Sequence, residues 1–325
     1  MEAIKLIEVK SEIAAGTRGA SLGIDALKTA CLDKGSDFFA QFDAEEVENM
    51  NHMMFEYAEE DIDKTAKYIE GVYTMVKRVS RTISFALEDG TFPLVLAGDH
   101  STAAGTIAGI KKAYPFKRLG VIWIDAHADL HSPYTTPSGN MHGMPLAMVI
   151  NEDNLKCKRN ELTAETKEIW NKIKNIGVRG QKIRPQDLVF IAVRDTEPEE
   201  DFLIKKYGIK HFKVSDLRAK GIKKVVKETN THLMECDIIY ISFDVDSMDS
   251  NISEGTGTPV PNGLTVQEAL ELNCELIKNK KVCCWEMVEV NPTLDSMNQM
   301  AENAFDILEA TTQCLLDRSN VPAKA

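Results

Sequence analysis

Short apolar runs alternate along the chain with longer segments of helical period. Several runs, such as Gly-Val-Ile-Trp-Ile-Asp at 120–125, are apolar at successive positions rather than at every second one. This is typical of central strands in a parallel sheet that is covered on both faces. The pattern predicts strands at Ile4–Val9, Pro93–Ala97, Leu119–Asp125, Leu188–Val193, His211–Val214, Ile238–Phe243 and Val282–Val290.

Between these strands, apolar residues recur at helical spacing. One such series is Ile69, Val72, Val76, Val79 and Ile83, and another is Met300, Ala304, Leu308, Thr311 and Leu315. Thr265 and Glu268 have the spacing of a capping box that opens a further helix. Alternating strands and helices predict an α/β three-layer sandwich with a central, mostly parallel sheet and helices on both faces. We expect a single domain over residues 1–325.

Composition narrows the class of protein. The 325 residues are 43% hydrophobic and 27% charged, the balance of an ordinary globular chain. No stretch approaches the roughly 18 to 20 apolar residues of a membrane span, and the charged N-terminus does not read as a signal peptide, so we expect a cytoplasmic protein. The net charge of −12 argues against nucleic acid as a partner. Seven scattered cysteines without a C-x-x-C pair predict free thiols rather than disulfides or a thiolate zinc site.

Three predicted strands end in acids and histidines: Asp99-His100, Asp125-Ala-His127-Ala-Asp129 and Asp244-Val-Asp246. An aspartate after a strand is often only a turn or a helix cap. The carboxyl ends of parallel strands, however, share one edge of the sheet, where ligands bind. If the chain stays extended, Asp125, His127 and Asp129 also lie on one side. The six donors expected to converge are His100, Asp125, His127, Asp129, Asp244 and Asp246.

Four carboxylates in one pocket repel each other unless cations neutralise them. Carboxylates with two imidazoles suit divalent ions such as Mn²⁺, and Co²⁺ or Fe²⁺ also fit this donor set. The donors exceed what one ion needs. The sequence therefore predicts a centre of two metal ions.

Motifs spread over nearly the whole chain resemble the ureohydrolase superfamily, and within it the arginases of a bacterial branch. They are Arg18–Lys28, Gly98-Asp-His-Ser101, Asp125–Asp129, Ser138-Gly-Asn-Met-His-Gly143, Ser242-Phe-Asp-Val-Asp246, Gly255-Thr-Gly-Thr-Pro259 and Glu289-Val-Asn-Pro292. The resemblance implies hydrolysis of L-arginine to urea and L-ornithine by a hydroxide held between two Mn²⁺ ions. It also implies a homotrimer or homohexamer.

Roles are carried over from the resemblance position by position. His100 and Asp129 would complete one manganese site, His127 and Asp246 the other, with Asp125 and Asp244 bridging the two ions. Asp129, His142 and Glu289 would be catalytic: Asp129 transfers a proton, His142 exchanges protons with solvent, and Glu289 holds the guanidinium. The implied substrate contacts are His131, Ser138, Asn140, Asp195, Glu197, Thr258 and Glu289.

Two of these positions depart from the commonest arginase pattern. His131 stands where asparagine is usual beside the α-carboxylate, and Glu197 stands where aspartate usually receives the α-amino group. Both changes concern substrate selection and leave the six metal ligands untouched.

Three alternatives stay open from the sequence. Another ureohydrolase, an agmatinase or a formimidoylglutamase, would keep the metal centre and change the amino-acid end. A non-catalytic binding protein on the same scaffold should have lost a metal ligand, and all six candidates are present. A dinuclear phosphoesterase is disfavoured because Glu289 would repel an anionic substrate and no phosphate-binding glycine loop occurs.

Overall fold

A computed structural model of the chain describes residues 3–58, 60, 62–252 and 254–320. These residues contain eight strands that form one sheet in the order β2-β1-β3-β8-β7-β4-β5-β6, and every pair of neighbours is parallel. The strands are β1 (Ile4–Val9), β2 (Asp43–Glu46), β3 (Phe92–Ala97), β4 (Leu119–Ile124), β5 (Leu188–Ile191), β6 (Lys210–Phe212), β7 (Ile238–Asp244) and β8 (Val282–Val288). The predicted parallel sheet is confirmed.

Helices cover both faces of this sheet, as predicted. They are α1 (Gly23–Asp33), α2 (Met53–Glu56), α3 (Ile69–Glu88), α4 (Ala103–Ala113), α5 (Pro145–Ile150), α6 (Ala164–Ile173), α7 (Pro198–Tyr207), α8 (Val214–Lys220), α9 (Ile222–His232), α10 (Val266–Ile277) and α11 (Gln299–Asn320). Buried residues of α1 and α8 to α11 belong to the core on one face, and those of α2 to α7 belong to the core on the other.

The strands supply both cores because successive side chains point to opposite faces. In β4, Val121 and Trp123 lie in one core, and Ile122 and Ile124 lie in the other. All six residues of this strand are buried, which explains its uninterrupted apolar sequence. The capping box of Thr265 and Glu268 is present at the start of α10.

The strand bounds differ in detail from those predicted. The strand β2 was not predicted, because all four of its residues are exposed at the sheet edge and three of them are acidic. Several predicted strands extend one or two residues past their ends in the structure, as at Asp125 after β4 and Glu289 after β8. Both residues belong to the candidate site. The apolar pattern did not separate the end of each strand from the site residue that follows it.

Four strands occupy the middle of the sheet in the order β3-β8-β7-β4. Their carboxyl ends carry His100 after β3, Glu289 after β8, Asp244 at the end of β7 and Asp125 after β4. Because the strands are parallel neighbours, these residues lie together at one edge. The fold thus brings together groups that are up to 189 positions apart in the chain.

The described helices include none that is long and apolar enough to cross a membrane. All seven cysteines lie in the described part of the chain, where none of them forms a disulfide.

Candidate metal centre and substrate pocket

The first group of candidate metal ligands surrounds His100. Its Nδ1 atom lies 3.1 Å from Asp125 Oδ2, 3.2 Å from Asp129 Oδ2 and 3.1 Å from Asp244 Oδ2. All four side chains are buried. His100, Asp125 and Asp129 form a group that could hold a metal ion, and Asp244 approaches the same nitrogen.

The second ligand group surrounds His127. Its Nδ1 atom lies 3.0 Å from Asp246 Oδ2 and 3.5 Å from Asp125 Oδ1. Asp125 therefore presents one oxygen to each imidazole, so the two groups share this carboxylate. Thr258 Oγ1 donates a hydrogen bond to Asp246 Oδ2 at 3.1 Å, which fixes the orientation of that carboxylate.

The backbone at two site residues has positive φ, a conformation that side chains other than glycine rarely adopt. Asp129 has φ 51° and Glu289 has φ 68°. The chain is therefore not extended through Asp129, contrary to the simple two-residue alternation expected from the sequence. Such backbone strain persists only where the surrounding structure enforces it, and it concentrates at functional sites.

The carboxylates carry more negative charge than the two imidazoles can balance. Burial and the nearby Asp125 raise the pKa of Asp129 to about 6. Burial and the neighbouring carboxylates likewise raise the pKa of Asp244 and Asp246. Burial alone would also raise the pKa of Asp125, but the imidazoles on its two sides outweigh it and lower this pKa. Divalent cations would relieve the repulsion and keep all four carboxylates ionised.

Two buried atoms without hydrogen-bond partners also fit the presence of metal ions. Among the described residues, neither His100 Nδ1 nor Asp125 Oδ2 has a partner in hydrogen-bond geometry, although both atoms are buried. The His100 ring is fixed from behind, because its Nε2 lies 2.7 Å from Ser242 Oγ and the ring stacks on Trp123 with centroids 4.0 Å apart. Its free nitrogen therefore faces the carboxylates, as a metal ligand requires. Ser242 is the first residue of the Ser242-Phe-Asp-Val-Asp246 motif, but its contact with the His100 ring was not predicted.

A small cavity of about 120 Å³ opens over the two ligand groups. Its lining consists of His100, His127, Asp129, His131, Thr136, Pro137, Ser138, Asn140, His142, Gly143, Glu197, Glu200, Asp244, Asp246, Thr258 and Glu289. Nearly all of the residues predicted to contact substrate are among them. Asp195 is the exception: its side chain is exposed, and its Oδ2 lies 3.8 Å from His127 Nε2.

An imidazole–carboxylate pair lies deep in this cavity. His142 Nδ1 is 3.1 Å from Glu289 Oε1, and the same oxygen accepts a hydrogen bond from the His100 backbone N–H at 2.9 Å. Burial lowers the pKa of His142, but the bond to Glu289 outweighs it and raises this pKa to about 9. The same contact overcomes the effect of burial on Glu289 and lowers its pKa. Both groups are therefore charged at neutral pH.

A second imidazole–carboxylate pair lies at the pocket mouth, where His131 Nε2 is 3.0 Å from Glu197 Oε2. On the other side of the mouth, the Asn140 side-chain oxygen accepts a hydrogen bond from Lys67 Nζ at 2.9 Å. Lys67 and the buried Glu200 were not predicted as site residues. Glu-Pro-Glu-Glu at 197–200 reads as an ordinary charged helix start, and the contact of Lys67 crosses 73 positions of sequence.

Comparison with known proteins identifies the family of the chain. The sequence profile of the Arginase family matches residues 2–313. The arginase of Bacillus caldovelox is 33% identical over 310 residues, which are 95% of this chain and 97% of that protein. A crystal structure of Bacillus subtilis arginase superposes with a TM-score of 0.79 at 30% identity and covers 96% of this chain and 98% of that one.

The same fold also occurs in a protein of lower sequence identity. The crystal structure of formimidoylglutamase from Bacillus subtilis superposes with a TM-score of 0.72 at 21% identity, covering 97% of this chain and 87% of that one. The family match and the coverage of the arginases go beyond a shared fold. The chain therefore belongs to the arginase family, and it is a hydrolase that acts on carbon–nitrogen bonds of linear amidines.

Proposed function

We propose that this protein hydrolyses the guanidinium group of L-arginine to urea and L-ornithine, with two Mn²⁺ ions as cofactor. One observation carries the proposal. A single pocket joins two groups of buried metal-ligating side chains to an ionised carboxylate, Glu289, and to polar groups at its mouth. The planar cation of such a substrate would face Glu289, and its amino-acid end would face the polar groups at the mouth.

The donor set suits Mn²⁺, a cation that accepts carboxylate oxygen and imidazole nitrogen and has less preference for thiolate. His100 and Asp129 would hold one ion, His127 and Asp246 the other, and Asp125 and Asp244 would be shared. When bound, two such cations acidify water at the site and stabilise the charge that develops during hydrolysis.

Glu289 binds the guanidinium. Its Oε1 atom is engaged by His142 and by the backbone N–H of His100, which leaves Oε2 to accept hydrogen bonds from the substrate. An ionised carboxylate and a planar cation form strong, directional hydrogen bonds. Glu289 follows β8 with a left-handed backbone, and its side chain lines the pocket.

Two side chains transfer protons. Asp129, with its pKa near 6 in the cluster, can accept a proton at its carboxylate from attacking water and pass it to the departing amine. His142 lies beside Glu289 and is still partly exposed, so its ring can carry other protons between the site and solvent. At the mouth, Ser138 and Asn140 donate to the substrate α-carboxylate, and Glu197 accepts from its ammonium.

A second candidate function is hydrolysis of a related guanidino or formimino compound, as in an agmatinase or a formimidoylglutamase. The observation that favours it is the His131–Glu197 pair, which replaces the asparagine and aspartate usual in arginases. A non-catalytic role is less well supported, since all six expected ligands are present, five in the pocket lining and Asp125 within both ligand groups.

A substrate panel separates these functions. We expect the protein loaded with Mn²⁺ to release urea from L-arginine at least ~100-fold more efficiently than from agmatine. Formimidoylglutamate should release no formamide. Turnover of agmatine or formimidoylglutamate in preference to arginine would overturn the proposal in favour of the second candidate.

Ligand variants test the metal assignment. Asp246→Ala and His127→Ala should each lose nearly all turnover and bind less than two ions per chain, while their circular dichroism spectra stay those of the parent. Near-normal activity in both variants would refute the assignment. Metal analysis of the parent should find about two ions per chain.

We also propose that the protein acts in the cytoplasm as a homotrimer or homohexamer, which is what the resemblance to arginases implies. Sedimentation equilibrium of the chain loaded with Mn²⁺ measures its mass. A monomer at all concentrations would contradict this assembly.

A further inference from the structure

Arg194 lies in the segment that follows β5, beside the metal centre but outside the pocket lining. In the part of the chain that the structure describes, its guanidinium donates hydrogen bonds to backbone carbonyl oxygens. The acceptors are the carbonyls of Ala192 at 3.2 Å, Asp246 at 2.9 Å, Ser247 at 3.3 Å, Met248 at 3.1 Å, Val260 at 2.8 Å and Pro261 at 3.0 Å. Carbonyl groups from three separate segments therefore converge on one side chain.

The chemistry of the guanidinium explains why an arginine stands here. Its planar fork carries five N–H donors, so one side chain can satisfy several carbonyls at once. None of the ion pairs among the described residues includes Arg194, although the side chain is half-buried. Asp246, Ser247 and Met248 are themselves buried, so their carbonyls would lose a hydrogen bond if the guanidinium were removed. The side chain therefore stabilises the backbone of these segments and does not act as the partner of a carboxylate.

Two of the three segments carry or orient a member of the second ligand group. One begins with Asp246, whose carboxylate lies beside His127. The other, residues 258–261, begins with Thr258, whose Oγ1 donates to Asp246 Oδ2 at 3.1 Å. Arg194 thus contacts both the backbone of the ligand and the loop that orients its carboxylate.

A closed loop of hydrogen bonds connects Arg194 to the other half of this group. The Arg194 backbone N–H donates to the Ala126 carbonyl at 2.8 Å, and the Ala126 N–H donates to Asp246 Oδ1 at 3.1 Å. The guanidinium then closes the loop on the Asp246 carbonyl. Because Ala126 stands between Asp125 and His127 in the chain, this loop fixes the segment after β4 against the segment after β7.

The first ligand group has no such support from Arg194. None of the hydrogen bonds of this side chain among the described residues reaches His100 or Asp129. The His100 ring is instead fixed by Ser242 and Trp123. The two halves of the metal centre therefore depend on different supporting residues.

We propose that Arg194 is a positioning residue for one half of the metal centre. It keeps Asp246 beside His127 and thereby sets the affinity for the second ion, whereas the affinity for the first ion does not depend on it. The inference rests on the proposed function, because the two ions are part of that function. It adds to the site a residue that is neither a metal ligand nor a contact of the substrate.

Two substitutions grade the effect. Arg194→Lys keeps the charge, but its three donors lie on one nitrogen and cannot serve three segments. Arg194→Gln removes the charge as well. Loss of a residue that supports a ligand typically weakens metal binding by about 10- to 100-fold. We expect the dissociation constant of the second Mn²⁺ ion to rise ~10-fold in Arg194→Lys and ~100-fold in Arg194→Gln, with the first ion changed less than ~3-fold.

Calorimetric titration of Mn²⁺ into metal-free protein measures both affinities, and electron paramagnetic resonance distinguishes a coupled pair of ions from an isolated one. His127→Ala is the reference, because it removes a ligand of the second group directly and should likewise retain one ion. Arg78→Lys is the matched control, since Arg78 also donates to loop carbonyls, those of Glu48 and Asn49, and should leave both ions unchanged. If Arg194→Gln weakens both ions by one common factor, or neither, the inference is overturned.

Hydrogen exchange of the metal-free chain separates this inference from the proposed function. Arg194→Gln should speed exchange at least ~10-fold in peptides that cover residues 125–127, 245–248 and 258–264, and leave residues 98–102 unchanged. This pattern supports the positioning role even if the parent hydrolyses no arginine and the proposed function fails. A uniform rise over all peptides, or no rise in these three segments, overturns the inference whatever the activity.

Discussion

Two imidazole–carboxylate pairs lie at opposite ends of one pocket, and they have nearly the same separation. His142 and Glu289 are 3.1 Å apart at the deep end, and His131 and Glu197 are 3.0 Å apart at the mouth. Their surroundings differ: 4% of the Glu289 side chain is exposed, against 47% of the Glu197 side chain. Equal distances therefore do not imply equal energetic roles, since the loss of a partner is costly only where water cannot take its place.

The largest expected effect comes from Glu289→Gln, which tests whether the buried deep pair matters more than the exposed pair at the mouth. This variant removes the buried negative charge that we propose faces the guanidinium, and it leaves His142 without an ionic partner. Removing one partner of a buried charge pair typically costs about 2–5 kcal/mol, so kcat/KM should fall about 1000-fold for every guanidino substrate. The measurement is steady-state kinetics at matched metal content. The same measurement on Glu197→Gln gives the comparison. If the two variants lose kcat/KM to the same small extent, burial does not distinguish the two pairs.

The next effect concerns the imidazole of the deep pair. His142→Asn removes the group that we propose exchanges protons and keeps a polar side chain, so kcat should fall about 100-fold while KM changes little. Addition of free imidazole to the assay should restore part of the rate. An unchanged kcat would remove His142 from the proton pathway.

A smaller effect of the deep pair appears in stability. Because the pKa of His142 is raised to about 9 from its ordinary 6.5, the contribution of its charged form is fully present below pH 6.5 and is lost as the pH rises through 9. The parent should therefore melt higher than His142→Asn by on the order of 2 °C at pH 6, and this gap should close by pH 10. Thermal melts of metal-free protein across this range measure it. A gap that widens with pH would contradict the sign.

The smallest expected effect concerns Glu200, which lies next to the His131–Glu197 pair. Burial raises the pKa of Glu200 to about 8. An acid whose folded pKa exceeds its unfolded value stabilises the fold below the unfolded pKa, and this contribution is lost as the pH rises through the folded pKa. Glu200→Gln, which cannot ionise, should gain about 1 °C relative to the parent between pH 5 and pH 9. Parallel melting curves over that interval would exclude the raised pKa.

The sequence predicts the middle of the molecule better than its edges. Strands such as β4 and β7 are buried on both faces, so their apolar runs stand out, whereas β2 is an exposed acidic edge strand with no such signal. The six candidate metal ligands stand out in the sequence for a related reason, because charged residues are conspicuous directly after apolar strands. Parallel pairing then determines that they meet.

What could not be predicted depends on contacts between distant segments. His131 and Glu197 are 66 positions apart, and each looks like an ordinary polar loop residue in its own segment. Their contact depends on how α7 begins relative to the chain that leaves β4. The left-handed backbone of Asp129 is equally invisible in a pattern of alternating residues.

The strand order has a consequence for how the centre is made during synthesis. The strand β8 is the last in the chain, yet it lies between β3 and β7, which carry ligands on either side of it. A ribosome must therefore release almost the entire polypeptide before the two halves of the sheet can close around that strand. Until then the sheet does not connect the ends of β3 and β7, so His100 and Asp244 can come together only when β8, the last strand, is in place.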